Sequence, residues 1–182
     1  MKKLIIIFAI LYGTANASFA QKYLTRTGKV TMFSSTKLEN FESFNNETSA
    51  VLDSKTGDAI VLVPIKSFKF ESALMEEHFN ENYLESDQYP KADFKGKITN
   101  ISEVNFAKDG VYNVKASGKL TMHGVSNDIN ILGTVTVKGS AITAVSKFTI
   151  NPNDYKIKIP KLMAGKVADQ IEITVNCIMN QK

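Results

Sequence analysis

The stretch Val111-Tyr-Asn-Val-Lys-Ala-Ser-Gly-Lys-Leu-Thr-Met122 alternates without a break. Tyr112, Val114, Ala116, Gly118, Leu120 and Met122 fall on one side, and Asn113, Lys115, Ser117, Lys119 and Thr121 on the other. A period of two places successive side chains on opposite faces of an extended chain, so this is a long strand with one buried and one wet face. Similar runs cover Lys29 to Ser34, Ala59 to Phe70, Ala92 to Ile101, Asp128 to Lys138, Ala141 to Ile150 and Gln170 to Met179. Turn-forming clusters separate them at Lys55-Thr-Gly-Asp58, Lys108-Asp-Gly110, Lys138-Gly-Ser140 and Asn151-Pro-Asn-Asp154. About eight evenly spaced strands require two packed sheets or a closed barrel. Closure leaves no exposed edge, and a barrel of that size encloses room for one small ligand, so the barrel is the favoured reading.

One segment departs from this period. Between Ser72 and Leu84 the apolar residues Leu74, Met75, His78, Phe79, Tyr83 and Leu84 recur at three- and four-residue spacing, which predicts a short amphipathic helix over about 72–84. Ser72 suits the N-cap, Glu76 and Glu77 suit the early turns, and Pro90 bars continuation. Such a helix, inserted between strands, reads as a lid or plug. The segment Lys37 to Glu47 fits neither period, with Phe41 and Phe44 set among Asn and Glu, and reads as a gate at the mouth or a partner contact.

At the N-terminus, Lys2 and Lys3 precede an apolar run from Leu4 to Tyr12 and small residues up to Ala20. This is the pattern of a secretory signal peptide over residues 1–20, cleaved near Ala20, leaving 21–182 as one exported domain. The run is about half the ~20 residues that a bilayer crossing needs, and no later stretch is apolar enough to span. Without the leader's two lysines the formal charge falls from +4 to +2, and the remaining lysines alternate with acidic and apolar residues, which argues against a nucleic-acid surface. The single cysteine, Cys177, shares parity with Ile171, Ile173 and Val175, so it reads as a packed thiol inside the last strand.

The chemistry-bearing residues do not form a catalytic pattern. The two histidines, His78 and His123, lack ligand spacing for zinc, and Glu77, Asp87 and Asp128 are scattered. No nucleophile elbow or phosphate-binding glycine loop occurs. His123, before Gly124, suits a ring hydrogen-bonded to local backbone, and Glu76-Glu77 suit a solvated helix face. The expectation is therefore a non-enzyme without metal or cofactor.

The segment from Phe68 to Ile98, Phe-Lys-Phe-Glu-Ser-Ala-Leu-Met-Glu-Glu-His-Phe-Asn-Glu-Asn-Tyr-Leu-Glu-Ser-Asp-Gln-Tyr-Pro-Lys-Ala-Asp-Phe-Lys-Gly-Lys-Ile, resembles the YceI-like family of exported, lipocalin-like proteins. Gly28-Lys-Val-Thr-Met-Phe33 resembles its opening strand, Gly118-Lys-Leu-Thr-Met-His-Gly-Val125 its strand-and-turn motif, and Phe148-Thr-Ile-Asn-Pro-Asn-Asp-Tyr155 its late hairpin. The resemblance covers essentially the whole mature chain in order. It implies an all-β fold, an eight-stranded antiparallel lipocalin-like barrel with one short helix near the barrel mouth, whose elongated apolar channel takes a polyisoprenoid or other long-chain lipid. It also implies a periplasmic or secreted location and is compatible with a homodimer.

A lipid tail is held by removing methylenes from water, each worth about 0.8 kcal/mol. Phe33, Phe41, Phe44, Phe68, Phe70, Phe79, Phe94, Phe106 and Phe148 could supply that lining, or could equally be ordinary core. Within the matched segments the expected lining is Phe68, Phe70, Leu74, Met75, Phe79, Phe94, Leu120 and Met122, with His78, Tyr83 or Asn82 near the lid to meet a polar end group. The competing reading is a stress-response or partner-binding accessory protein whose barrel is filled by its own side chains. Period-two alternation serves both, since each needs inward apolar residues.

Overall fold

The computed structural model describes residues 22–163 and 165–182. The expected signal peptide and its cleavage point lie outside them. The strands are β1 (Lys22–Ser35), β2 (Asn40–Asp53), β3 (Asp58–Pro64), β4 (Lys69–Phe70), β5 (Lys91–Ile98), β6 (Gly110–Met122), β7 (Val125–Lys138), β8 (Ala141–Ile150) and β9 (Ile171–Gln181). Eight of them form a closed antiparallel ring in sequence order, with β9 returning to β1, while the two-residue β4 pairs only with β2 outside the ring. Each strand therefore pairs with its neighbours in the ring, which leaves none of the eight with an unpaired edge along its whole length.

The founding stretch is β6, and its alternation matches its exposure along the strand. It pairs with β7 from Gly110↔Val137 to Met122↔Val125. The tight turn between them needs positive φ at both central residues, and His123 (φ 51°) and Gly124 (φ 73°) supply it.

Two expectations are corrected here. The run read as starting at Lys29 begins at Lys22, because register shifts between Thr25 and Val30 leave Arg26 and Thr27 both exposed and hide the period. Most of Lys37 to Glu47 is not a gate but the first half of the 14-residue β2. Its inward positions there are polar: Ser43, Asn45 and Thr48 are fully buried, so hydropathy does not alternate although the side chains do. Asn45 makes this tolerable, donating from Nδ2 to the Pro64 carbonyl at 2.7 Å and accepting at Oδ1 from the Glu47 amide at 2.8 Å and the Thr48 hydroxyl at 3.2 Å.

The helix forms where the apolar spacing placed it. Ala73–His78 is α1, and the coil widens into a π turn over Phe79–Tyr83. The Ser72 hydroxyl accepts from the Met75 amide at 3.4 Å, and the helical segment ends near Glu85, whose φ of 44° turns the chain away. The run read as Ala59 to Phe70 is interrupted by a 3-10 turn at Ile65–Ser67, where the Ile65 amide bonds the Pro90 carbonyl at 2.9 Å and draws the two ends of the helical insertion together. The late hairpin is also longer than expected. Asn151 caps a 3-10 turn at Pro152–Tyr155, and the chain then crosses the same end of the barrel before β9. No helix among the described residues is long and apolar enough to cross a membrane.

The interior divides into two clusters. At one end Tyr23, Val104, Val137, Ile142 and Met179 pack together, and Tyr23 stacks on Phe106 from the β5–β6 connection at 5.5 Å. At the other end Ile65, Phe68, Phe79, Leu84, Tyr155 and Ile157 come from the two long insertions and pack against Val30, Ala92 and Met122.

Candidate functional site

Between the two clusters the barrel is hollow. A cavity of about 290 Å³ runs from Met179 and Val135 near the closed end to Phe79 and Ile157 at the mouth, lined almost entirely by apolar side chains. The hollow follows from residue size. Ala50, Ala59, Ala92, Ala116, Gly133 and Ala144 all occupy positions on its wall, where larger aliphatics would meet across the axis. On β5 and β6, Gly96 and Gly118 lie directly opposite each other. A Cβ on Gly96 would stand 2.5 Å from the Phe94 ring, so glycine there lets that ring lie flat along the wall. A cavity lined this way stays dry, and its unmet walls forgo dispersion contacts that a bound chain would supply.

Of the residues singled out from sequence, Phe68, Phe70, Met75, Phe79, Phe94, Leu120 and Met122 line this cavity, as do His78 and Tyr83. Phe79 sits at the centre of the aromatic group, its ring 5.4 Å from Phe68 and 5.0 Å from Phe70, and Phe70 lies 6.3 Å from Phe41. Leu74 does not join them: it is 58 % exposed on the outer face of α1, because the cavity side of that helix is taken by Met75, His78 and Phe79. Asn82 is also exposed. Two of the wider set of aromatics point outward, Phe33 and Phe44, the latter carrying the Lys29 ammonium over its ring at 5.6 Å. Phe106 belongs to the floor, against Tyr23.

Polar groups gather at the mouth. The Lys166 ammonium lies 3.7 Å from the Glu39 carboxylate, and both residues border the cavity. His78 and the Tyr83 phenol border it from the helical segment. Burial raises the Tyr83 pKa, so the phenol remains a neutral donor at ordinary pH. Lys166 and the crossing segment after Ile150 had no signal in the strand or helix period, whereas Glu39 falls in the Lys37 to Glu47 segment read as a gate at the mouth.

His123 does not bond local backbone as expected. Its Nδ1–H donates to the Tyr155 carbonyl at 3.0 Å, Nε2 lies 3.6 Å from the Glu85 carboxylate, and the ring meets Tyr89 edge-on at 4.6 Å. The side chain thus ties the β6–β7 turn to both long insertions. Asn127 reinforces the tie, donating to the Asp154 carbonyl at 2.8 Å. Cys177 is buried against the cavity wall, and burial pushes its thiol up to about 11, which keeps it protonated and unreactive near neutral pH. Among the described residues no group of three or more His, Cys, Asp or Glu is placed to hold a metal ion.

The geometry defines a class: an up-and-down antiparallel barrel enclosing an apolar cavity, with a helical insertion over its mouth. Within that class, the profile of the YceI-like domain matches residues 13–179, and the chain belongs to the YceI-like family. Among solved structures it is similar to a polyisoprenoid binding domain from Saccharophagus degradans implicated in plant cell wall breakdown (16 % identity, 88 % of this chain and 98 % of that one, TM-score 0.77). It is also similar to Burkholderia cenocepacia BcnA (19 %, 84 % and 95 %, TM-score 0.69) and to a Campylobacter jejuni YCEI protein (19 %, 77 % and 84 %, TM-score 0.61). At these identities the likeness is one of fold. No curated protein matches the chain.

Proposed function

We propose that this protein acts outside the cytoplasm, sequestering or carrying a polyisoprenoid-type lipid inside its barrel by apolar burial, without catalysis. The observation that carries this reading is the lengthwise cavity, hollowed by alanine and glycine at inward positions and capped by aromatic side chains on a separate insertion. A barrel filled by its own side chains would have large residues at those positions, so the accessory-protein reading lacks its premise. The polyisoprenoid named for the Saccharophagus domain supports the ligand class, and the leader-like N-terminus supports export.

The test is native mass spectrometry of the mature protein purified without detergent, followed by organic extraction of what it carries. A stoichiometric isoprenoid is expected in the wild type. The doubly filled variant Ala116→Leu/Ala144→Leu, which adds about six side-chain carbon atoms to the tube, is expected to lose it while remaining folded. A clean apo mass, unchanged after incubation with quinones, polyprenols and fatty acids, would overturn the reading.

A further inference from the structure

The wall of the cavity carries one hydroxyl that the barrel itself does not need. Along the strands, every inward residue bordering the cavity is aliphatic, aromatic, glycine or a sulfur-bearing side chain except Ser146 on β8. Ser146 lies directly opposite Gly133 on β7 and Val175 on β9, and Val175 in turn lies opposite Val30. Val175 packs against both interior clusters, so Ser146 stands at the level where the closed end and the mouth meet. Gly133 leaves the space beside it clear, since a Cβ there would come within 3.2 Å of the Ser146 Cβ.

The other serine and threonine hydroxyls buried in the wall nearby are engaged or sealed. Ser34 accepts from the Ala168 amide at 3.0 Å and Thr48 bonds Asn45 at 3.2 Å, while Ser43 lacks a partner but is fully buried and does not border the cavity. The Ser146 hydroxyl, by contrast, bonds no described group and remains accessible from within the tube. A hydroxyl held in apolar surroundings without a partner is unfavourable, and alanine would fill the same volume without that cost.

We infer that Ser146 is a specificity-determining contact, donating a hydrogen bond to a neutral carbonyl oxygen that the ligand carries inside the tube rather than at its end. This rests on the lipid-binding reading above and narrows it. Ser146 is four residues below Ile150 at the rim, about 13 Å along the strand, and Ile142 lies as far beyond it toward the floor. A ligand that satisfies the site therefore has apolar chain on both sides of its carbonyl. Ionised groups are excluded at that depth, since no charged side chain points inward there to offset their desolvation. They would stay at the mouth, where Lys166 and Glu39 stand.

The test measures dissociation constants of two probes, octadecanoic acid and a keto-octadecanoic acid with its carbonyl at mid-chain, for the wild type, Ser146→Ala and Ser146→Cys. The wild type is expected to prefer the keto chain by roughly 3- to 10-fold, the range that one net hydrogen bond supplies. Both variants should bind the plain chain as well as or better than the wild type and lose the preference, Cys because its thiol keeps the shape with a poor donor. An equal keto-to-plain ratio in all three proteins, or equal weakening of both probes by the substitutions, would overturn the inference and leave lipid binding intact. Failure of the wild type to bind either probe would overturn the inference, and the polyisoprenoid reading would then stand or fall on the extraction test above.

Discussion

The two ends of the barrel are built from the same alternating strands yet differ in how they are closed. At the closed end the strands are joined mostly by short connections, such as Lys138 to Ala141, and the interior is stopped by Tyr23, Phe106, Val137 and Ile142, with Tyr23 and Ile142 no more than 2 % exposed. At the mouth the chain makes two long excursions, between β3 and β5 and between β8 and β9, and the stopper consists of side chains carried on those excursions. The excursions are held to the barrel by individual bonds: Ser67 to Glu47, His123 to Tyr155, Asn127 to Asp154, Ser34 to Ala168. A floor whose Tyr23, Val137 and Ile142 sit within the strands themselves opens only when the sheet does. A stopper attached by separate bonds can yield locally, and local opening is what admission of a long ligand requires.

The largest expected effects separate the two ends by stability and by binding. Ile142→Ala removes a side chain that is 1 % exposed and does not border the cavity, and should cost about 2–5 kcal/mol in denaturant unfolding with little change in retained lipid. Phe79→Ala should cost somewhat less, about 2–4 kcal/mol, because one side of its ring already faces open space, yet should weaken lipid retention roughly 10-fold or more. Equal loss of stability and retention in Phe79→Ala would mean that the mouth aromatics are core, and the contrast between the ends would fail.

Cys177 gives a smaller effect by a different route. Its thiol is held at about 11 in the folded protein against an ordinary value of 9.0, so between those two values the unfolded chain has lost a proton that the folded chain keeps. Stability from this group is therefore complete below about pH 9 and declines as pH rises toward 11, by about 2–3 kcal/mol in all. Urea unfolding of the wild type and Cys177→Ala across that range should show the decline in the former and a flatter profile in the latter. Parallel profiles would mean that the thiol titrates alike in both states.

The sequence made the strands legible where hydropathy and side-chain direction coincide, as in β6, and failed where they part. In β2 the inward Ser43, Asn45 and Thr48 conceal the period, and the burial of these polar groups depends on partners such as Pro64 that lie far along the chain. The helix was legible because its spacing and cap are local. Which of its faces meets the cavity was only partly so: Met75, His78 and Phe79 turn inward and Leu74 outward, a choice set by how the helix lies on the barrel. The cavity had a signal that period-two reasoning passes over. Inward parity marks a residue as buried, but only its size decides whether the barrel is full, and Ala59, Ala116, Gly133 and Ala144 are small.

His123 gives the smallest expected effect and the sharpest local one. Its ring touches both excursions, through Tyr155 on one and Glu85 and Tyr89 on the other. Asparagine tolerates the left-handed backbone at this position (φ 51°) but is too short to keep all three contacts, so His123→Asn should cost about 1 kcal/mol of global stability. Hydrogen exchange should locate that cost. The Lys156 and Ile157 amides, bonded to the Asn153 and Pro152 carbonyls at 3.0 Å, should exchange faster, while amides of the β7–β8 ladder around Val137 and Ile142 should hardly change. Faster exchange at both ends alike would show that the mouth opens only with the whole barrel, and the excursions would then be part of the floor's cooperative unit and not a door.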